Sequence, residues 1–260
     1  MPLLGGIANA GAVVRSGKHV LRPTNPHTNS VHRLLGSIRS KGFRGVPHPL
    51  GVDPDGRERL VFIEGDVPLP PYPAWSQTDE ALASMTELVR SLHDASVGFP
   101  SGEFDWNDEL ADPNGGDVMC HNDVCLENVV FRDGRALALL DFDFAAPGRR
   151  PWDLAAFARL CVPIDDPTSQ ARLGWQVEDG PDRLRLIADT YGLDTEERVT
   201  LIDSLDWTME NGGEFVRRKV EANEPGFMKM WEETGGMERY ERRRRWWLDI
   251  REKFVSRLTA

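Results

Sequence analysis

Between residues 65 and 75 the chain reads GDVPLPPYPAW, with prolines at 68, 70, 71 and 73. Proline lacks an N–H and fixes φ, so four of them this close fit neither a helix interior nor a central strand. The segment is a stiff connector, and the patterns on its two sides differ. Before it, AVVRSGKHVLR (12–22) reads as two short strands about Ser16-Gly17. Residues 28–42 read as a helix, with Val31, Leu34, Leu35 and Ile38 at helical spacing and Gly42 as its stop. RLVFIE (59–64) is an apolar strand. After the connector, Leu82, Met85, Leu88, Val89 and Leu92 form one apolar stripe on a helix over 79–94. Residues 99–117 are loop-like, and strands with a hairpin occupy 118–141. From Trp152 the pattern is mostly helical, with breaks at Pro163, Pro167, Gly180-Pro181 and Gly212-Gly213. The expectation is an α+β, bilobal chain. A small β-rich lobe covers 1–66 and a larger, mainly helical lobe covers 67–260, with 67–75 as the connector.

The net charge of −11 is unevenly placed. Residues 1–60 hold nine Lys/Arg against three Asp/Glu, and residues 61–159 hold six against eighteen. Residues 160–238 hold eight against eighteen, and 239–260 hold eight against three. A basic front suits an anionic ligand, and an acidic body suits a cationic or metal-bound one, although charge also simply solvates surfaces. The acidic body argues against a nucleic-acid partner. No stretch is long and apolar enough to span a bilayer, and the start MPLLGGIANAGAVV lacks the charged region of a signal peptide, so the expected location is the cytoplasm. Cys120, Cys125 and Cys161 are odd in number and show no C-x-x-C spacing, which argues against a disulfide framework and a zinc site.

MCHNDVCLENVVFRDGRALALLDFDFA (119–145) places Asp123, Asn128, Asp141 and Asp143 among valines and leucines, where carboxylates need something to hold. Asp133-Gly134 is a two-residue hairpin signal. A simple two-residue turn makes paired residue numbers sum to 267, so Asn128 faces Leu139 and lies diagonal to Asp141. Diagonal neighbours lie roughly 7–8 Å apart. Two oxygen ligands at that spacing can share one Mg²⁺, which asks for one or two protein ligands plus water and phosphates. A one-residue slip in register would undo this pairing. Asp123, in the preceding loop, is placed to accept a proton from an alcohol. His121 reads better as a packing and hydrogen-bonding support for that loop than as a base.

His121-Asn122-Asp123, then Asn128, then Asp141-Phe142-Asp143 spell H-x-D-x-x-x-x-N followed by an Asp at a strand end. This pattern resembles the aminoglycoside phosphotransferase family of protein-kinase-like enzymes, which includes choline-kinase-like members. GRRPWDLA (148–155) resembles that family's next block, in which Asp153 would brace the catalytic loop, and LLGGIANAGAVVR resembles its glycine-rich nucleotide loop. The resemblance covers residues 3–159. It implies Mg²⁺-dependent transfer of a phosphoryl group from ATP or GTP to a hydroxyl of a small acceptor, such as an antibiotic. Asp123 would be the base, Asn128 and Asp141 the Mg²⁺ ligands, and Gly5, Gly6 and Asn9 the cover over the phosphates.

The chain departs from the family where a lysine pairs with a helix glutamate. Arg22 stands at that position, with Lys18 as the alternative, and no glutamate precedes Glu58. His32 or Asn29 is then the nearest polar substitute on the helix. Arg22 can hold phosphate bidentately, but Arg and Lys are not equivalent. This departure raises the alternative of a catalytically weak, kinase-like nucleotide- or ligand-binding protein. For the acceptor, Asp143, Asp206 and Glu210, with Asp203 and Trp207 nearby, suggest an acidic, aromatic-walled groove for a cationic molecule such as an aminoglycoside. RYERRRRWWLDIREKF (239–254) reads as a closing helix that buries Trp246 and Trp247 and sets its arginines against the acidic body.

Overall fold

Gly17, at φ +60°, folds β1 (Val14–Ser16) back onto β2 (His19–Pro23) in the computed structural model, which describes residues 1–3, 11–177 and 179–260. These strands join β3 (Pro49–Val52) and β4 (Arg57–Val61) in an antiparallel sheet of order β1-β2-β4-β3. The β2–β4 register sets Arg22 directly opposite Glu58. Helix α1 (Thr28–Ser40) buries Val31, Leu34, Leu35 and Ile38. The chain leaves it through Gly42 at φ +97°.

The proline connector runs to a 3-10 turn, Ala74–Gln77, and is tied down by the Tyr72 N–H donating to the Leu173 carbonyl at 2.8 Å. Just before it, Gly65 has φ +157°. A Cβ there would lie 2.4 Å from the Phe131 carbonyl oxygen, so only glycine lets the outgoing chain lie against the hairpin. Thr78 caps α2 (Asp79–Ser96) by accepting from the Ala81 N–H at 3.1 Å. The stripe Leu82, Met85, Leu88, Val89 and Leu92 is buried.

Strand β5 (Val118–Cys120) pairs with β8 (Ala146–Gly148), and between them β6 (Val129–Arg132) and β7 (Arg135–Leu139) form the hairpin. Asp133 and Gly134 have φ of +52° and +74°, as a two-residue hairpin turn requires. The register, however, shifts by one between Val130 and Phe131. Val129 therefore faces Leu139, and the expected pairing of Asn128 with Leu139 is corrected by this bulge. β6 begins after Asn128 and β7 ends before Asp141, so pleat alternation does not position those side chains.

Helices α3 (Arg150–Cys161), α4 (Pro167–Leu173), α5 (Gly180–Tyr191), α6 (Thr195–Glu221), α7 (Pro225–Thr234) and α8 (Gly236–Thr259) complete the chain. The expected break at Gly212-Gly213 does not occur, because α6 runs straight through it. The two glycines instead give room to neighbours. A Cβ on Gly213 would lie 2.0 Å from the Tyr240 ring, and one on Gly212 would lie 3.5 Å from the Arg159 guanidinium carbon. Helix α8 buries Trp247 and partly buries Trp246 against the core. Its arginines pair with Asp165, Asp166, Asp182 and Asp206. No helix of the described residues is long and apolar enough to cross a membrane.

Candidate active site

The loop after β5 is held by one buried carboxylate. Asp153, in the first turn of α3, is fully buried. It accepts the His121 N–H at 2.9 Å and His93 Nε2–H at 2.9 Å on one oxygen, and the Asn122 N–H at 2.7 Å on the other. Burial alone would raise its pKa, but these bonds hold the carboxyl below the usual range. Asn122 has φ +64°, a strained conformation for a residue with a Cβ, and its Nδ2 donates to the Phe144 carbonyl at 2.8 Å. His121 Nε2 donates to the Leu140 carbonyl at 2.8 Å, which leaves Nδ1 to accept the Asp123 N–H at 3.3 Å. Burial lowers the His121 pKa and keeps the ring neutral. The ring acts as a strut between two chain segments.

Asn128 ends a 3-10 turn, Leu126–Asn128. Its Nδ2 donates to the Asp123 carbonyl at 2.9 Å and to Asp123 Oδ2 at 3.1 Å. The other end of that amide, Oδ1, is thereby turned away from Asp123. The Leu140 N–H donates to the Asn128 carbonyl at 2.7 Å, so the backbone beside Asp141 is pinned to Asn128. Asp141 itself has φ +58°. Burial, reinforced by the Asp141 charge and opposed by Arg159, raises Asp123 to about 7. A turn, a bulge and a left-handed residue, and not a regular ladder, bring the backbone of Asn128 and Asp141 together.

Arg22 crosses from the sheet to this loop. Its Nη1 donates to Asp141 Oδ1 at 2.8 Å and its Nη2 to Asp143 Oδ1 at 2.7 Å. Its Nε donates to Glu58, whose other oxygen meets His32 Nε2 at 2.7 Å. Burial would raise Glu58, but His32 and Arg22 hold its carboxyl below the ordinary value. The partner that α1 lacks is thus supplied by β4, and His32 braces it. Burial and the Asp141 charge push Asp143 upward, against the pull of Arg22. Lys18 does not take this place, and Asn29 is not in the network.

Gly5, Gly6 and Asn9 lie outside the described residues. The expected acidic acceptor groove is not formed. Asp206 is taken by Trp247 Nε1 at 2.9 Å and by the Arg251 guanidinium at 2.6–2.9 Å, Asp143 is taken by Arg22, and Glu210 is exposed. Asp206, neutralised by a bidentate arginine, offers little to a second cation. Sequence reading passed over Glu58, His93 and Arg159. Glu58 did carry a signal, since it shares the inward parity of Leu60 in RERLV.

Comparison with known proteins places this arrangement. Residues 73–187 match the phosphotransferase enzyme family. Trifolitoxin immunity protein of Rhizobium leguminosarum bv. trifolii is 33% identical over 199 residues, covering 74% of this chain and 75% of that protein. The chain belongs to the phosphotransferase enzyme family. Phosphotransferase folds of low sequence identity superpose on it along most of its length. Spectinomycin phosphotransferase in complex with ADP and spectinomycin has TM-score 0.60 at 11% identity, covering all of this chain (100%) and 93% of that one. A choline/ethanolamine kinase family protein from Mesorhizobium loti has TM-score 0.59 at 16% identity, covering 98% and 91%. The fold is therefore the bilobal protein-kinase-like one. The span that matches the phosphotransferase family holds Asp123, Asn128, Asp141 and Asp153, while Arg22 and its strand-borne partner Glu58 lie outside it.

Proposed function

We propose that this phosphotransferase moves the γ-phosphoryl group of ATP or GTP to a hydroxyl of a small acceptor, with Asp123 as the base. The convergence of Asp123, Asn128 and Asp141 carries this reading, because Asn128 is bonded to Asp123 and the Asp141 charge acts on it. The donor set suits a hard divalent cation: the free amide oxygen of Asn128 and the partly exposed carboxylate of Asp141 are oxygen ligands. Asn128 and Asp141 would hold Mg²⁺, which when bound neutralises phosphate charge. Asp123 accepts the proton of the acceptor hydroxyl, and the oxygen then attacks phosphorus in line as the nucleoside diphosphate leaves. Arg22 Nη1 exchanges Asp141 for a phosphate oxygen, while Glu58 keeps the guanidinium fixed. We assign the glycine-rich segment with Gly5, Gly6 and Asn9 to phosphate cover. The relative's name, an immunity protein, supports an antibiotic-like acceptor, and a triphosphate donor fits a cytoplasmic setting.

The test is transfer of labelled γ-phosphate from Mg·ATP and Mg·GTP to a panel of hydroxylated small molecules. Asp123→Asn should lower transfer by at least about a hundredfold while keeping nucleotide affinity. Transfer that survives this substitution, or that persists in excess chelator, would refute the assignment.

A further inference from the structure

Arg159 is an anomaly next to Asp123. It sits near the end of α3, whose Cys161 Sγ approaches the carbonyl of Val124 at 3.5 Å, so this helix end abuts the loop that carries the base. Its Nε is sealed from solvent and has no hydrogen-bond partner among the described residues. Apart from Asp123 itself, the nearby carboxylates are already engaged. Asp165 serves both Arg239 at 3.1 Å and Arg243 at 3.6 Å, and Asp166 serves Arg242 at 2.8 Å together with Ser169. Arg243 is also under-satisfied among the described residues: its Nε reaches Asp165 at 3.6 Å without a hydrogen bond, and its Nη2 meets the Met209 sulfur at 3.5 Å. Asp165 is thus divided between Arg239 and Arg243, and Arg159 makes no salt bridge among the described residues. Burial and the Arg243 charge pull the Arg159 pKa down to about 9, the signature of a cation short of a counter-ion.

A guanidinium with a sealed, unbonded Nε is costly and persists where a ligand supplies the missing charge. Gly212 on α6 faces the Arg159 guanidinium, and a Cβ there would rest against its carbon at 3.5 Å. We propose that this is the acceptor subsite and that it takes an oxyanion: a carboxylate or phosphate group of the acceptor docks on Arg159 and Arg243, while the acceptor's hydroxyl meets Asp123. The inference rests on the phosphotransferase reading and deepens it, since it replaces a polycationic acceptor with an anionic one. Charge supports the choice, because the acidic side chains that would hold a polycation are paired or exposed, whereas Arg159 makes no salt bridge among the described residues and Arg243 has the long 3.6 Å contact with Asp165.

The full-length protein is saturated with Mg²⁺ and a non-hydrolysable ATP analogue, so that the γ-phosphate position is filled. It is then titrated calorimetrically at constant ionic strength with inorganic phosphate and, separately, with glycerate. Binding of either anion is expected, with phosphate alone or glycerate alone identifying the preferred group. Arg159→Gln and Arg243→Gln should each weaken it at least tenfold, and Arg159→Lys should restore part of it. Transfer assays on the wild type should favour hydroxylated acids over kanamycin. Absence of anion binding, affinity unchanged from the wild type in both Gln variants, or transfer to kanamycin that phosphate does not inhibit would overturn the inference. Failure of the nucleotide analogue itself to bind would overturn the phosphotransferase reading instead, so the two failures are separable.

Discussion

Asp153→Asn isolates what holds the catalytic loop. The substitution keeps the shape and removes the charge. One carboxylate oxygen accepts two N–H groups, from His121 and His93, and the other accepts the N–H of Asn122. An amide has one oxygen, so at least one of these donors must face an NH₂ group. Each bond to a charged acceptor contributes about 1.5–3 kcal/mol, and a buried donor left unpaired costs about 1–3 kcal/mol. Bonds that survive lose their charge assistance. The expected cost is about 3–5 kcal/mol, the range for breaking a buried charged pair. For a chain of this size that is a drop of roughly 6–10 °C in Tm. Urea unfolding followed by circular dichroism, with unchanged m, measures it.

The pH dependence supplies a second reading. Because the folded Asp153 pKa is depressed, its contribution is complete above the ordinary carboxylate range, about pH 4, and is lost as pH falls through the lower folded value. The stability gap between wild type and Asn variant should be flat above pH 4 and narrow below it. A gap under about 1 kcal/mol at neutral pH, or one that widens in acid, would refute this account of the loop.

Other perturbations follow from the same geometry. Glu58→Gln breaks the buried pair with Arg22 and should cost about 3–5 kcal/mol in denaturant while raising KM for the nucleotide; His32→Ala should do less of both. Asn128→Ala and Asp141→Asn should abolish the Mg²⁺-dependent part of nucleotide affinity, read by calorimetry with and without the ion. Gly65→Ala meets both a positive φ and the Phe131 carbonyl, and should destabilise by more than about 2 kcal/mol in thermal denaturation.

Much of this protein was written locally. The proline run, the apolar stripe of α2 and the Asp133-Gly134 turn act over a few residues, through backbone sterics and period, so the sequence alone determined the element order and the existence of the hairpin. The clustering of Asp123 with Asn128 was legible for the same reason, because the spacing is short and the loop is built from neighbours. Tertiary structure decided what depends on register and on partners distant in sequence. The bulge in β7 moved the pairing by one residue, and no local rule specifies a bulge. The partner of Arg22 is Glu58, which lies 36 residues away and is opposed to it by strand pairing. Asp206 looked free on α6, yet α8 returns to neutralise it, and the same helix draws Asp165 to its own arginines, leaving Arg159 Nε without a hydrogen-bond partner among the described residues. A residue's charge is fixed by its identity; whether that charge is spent or available is a property of the fold.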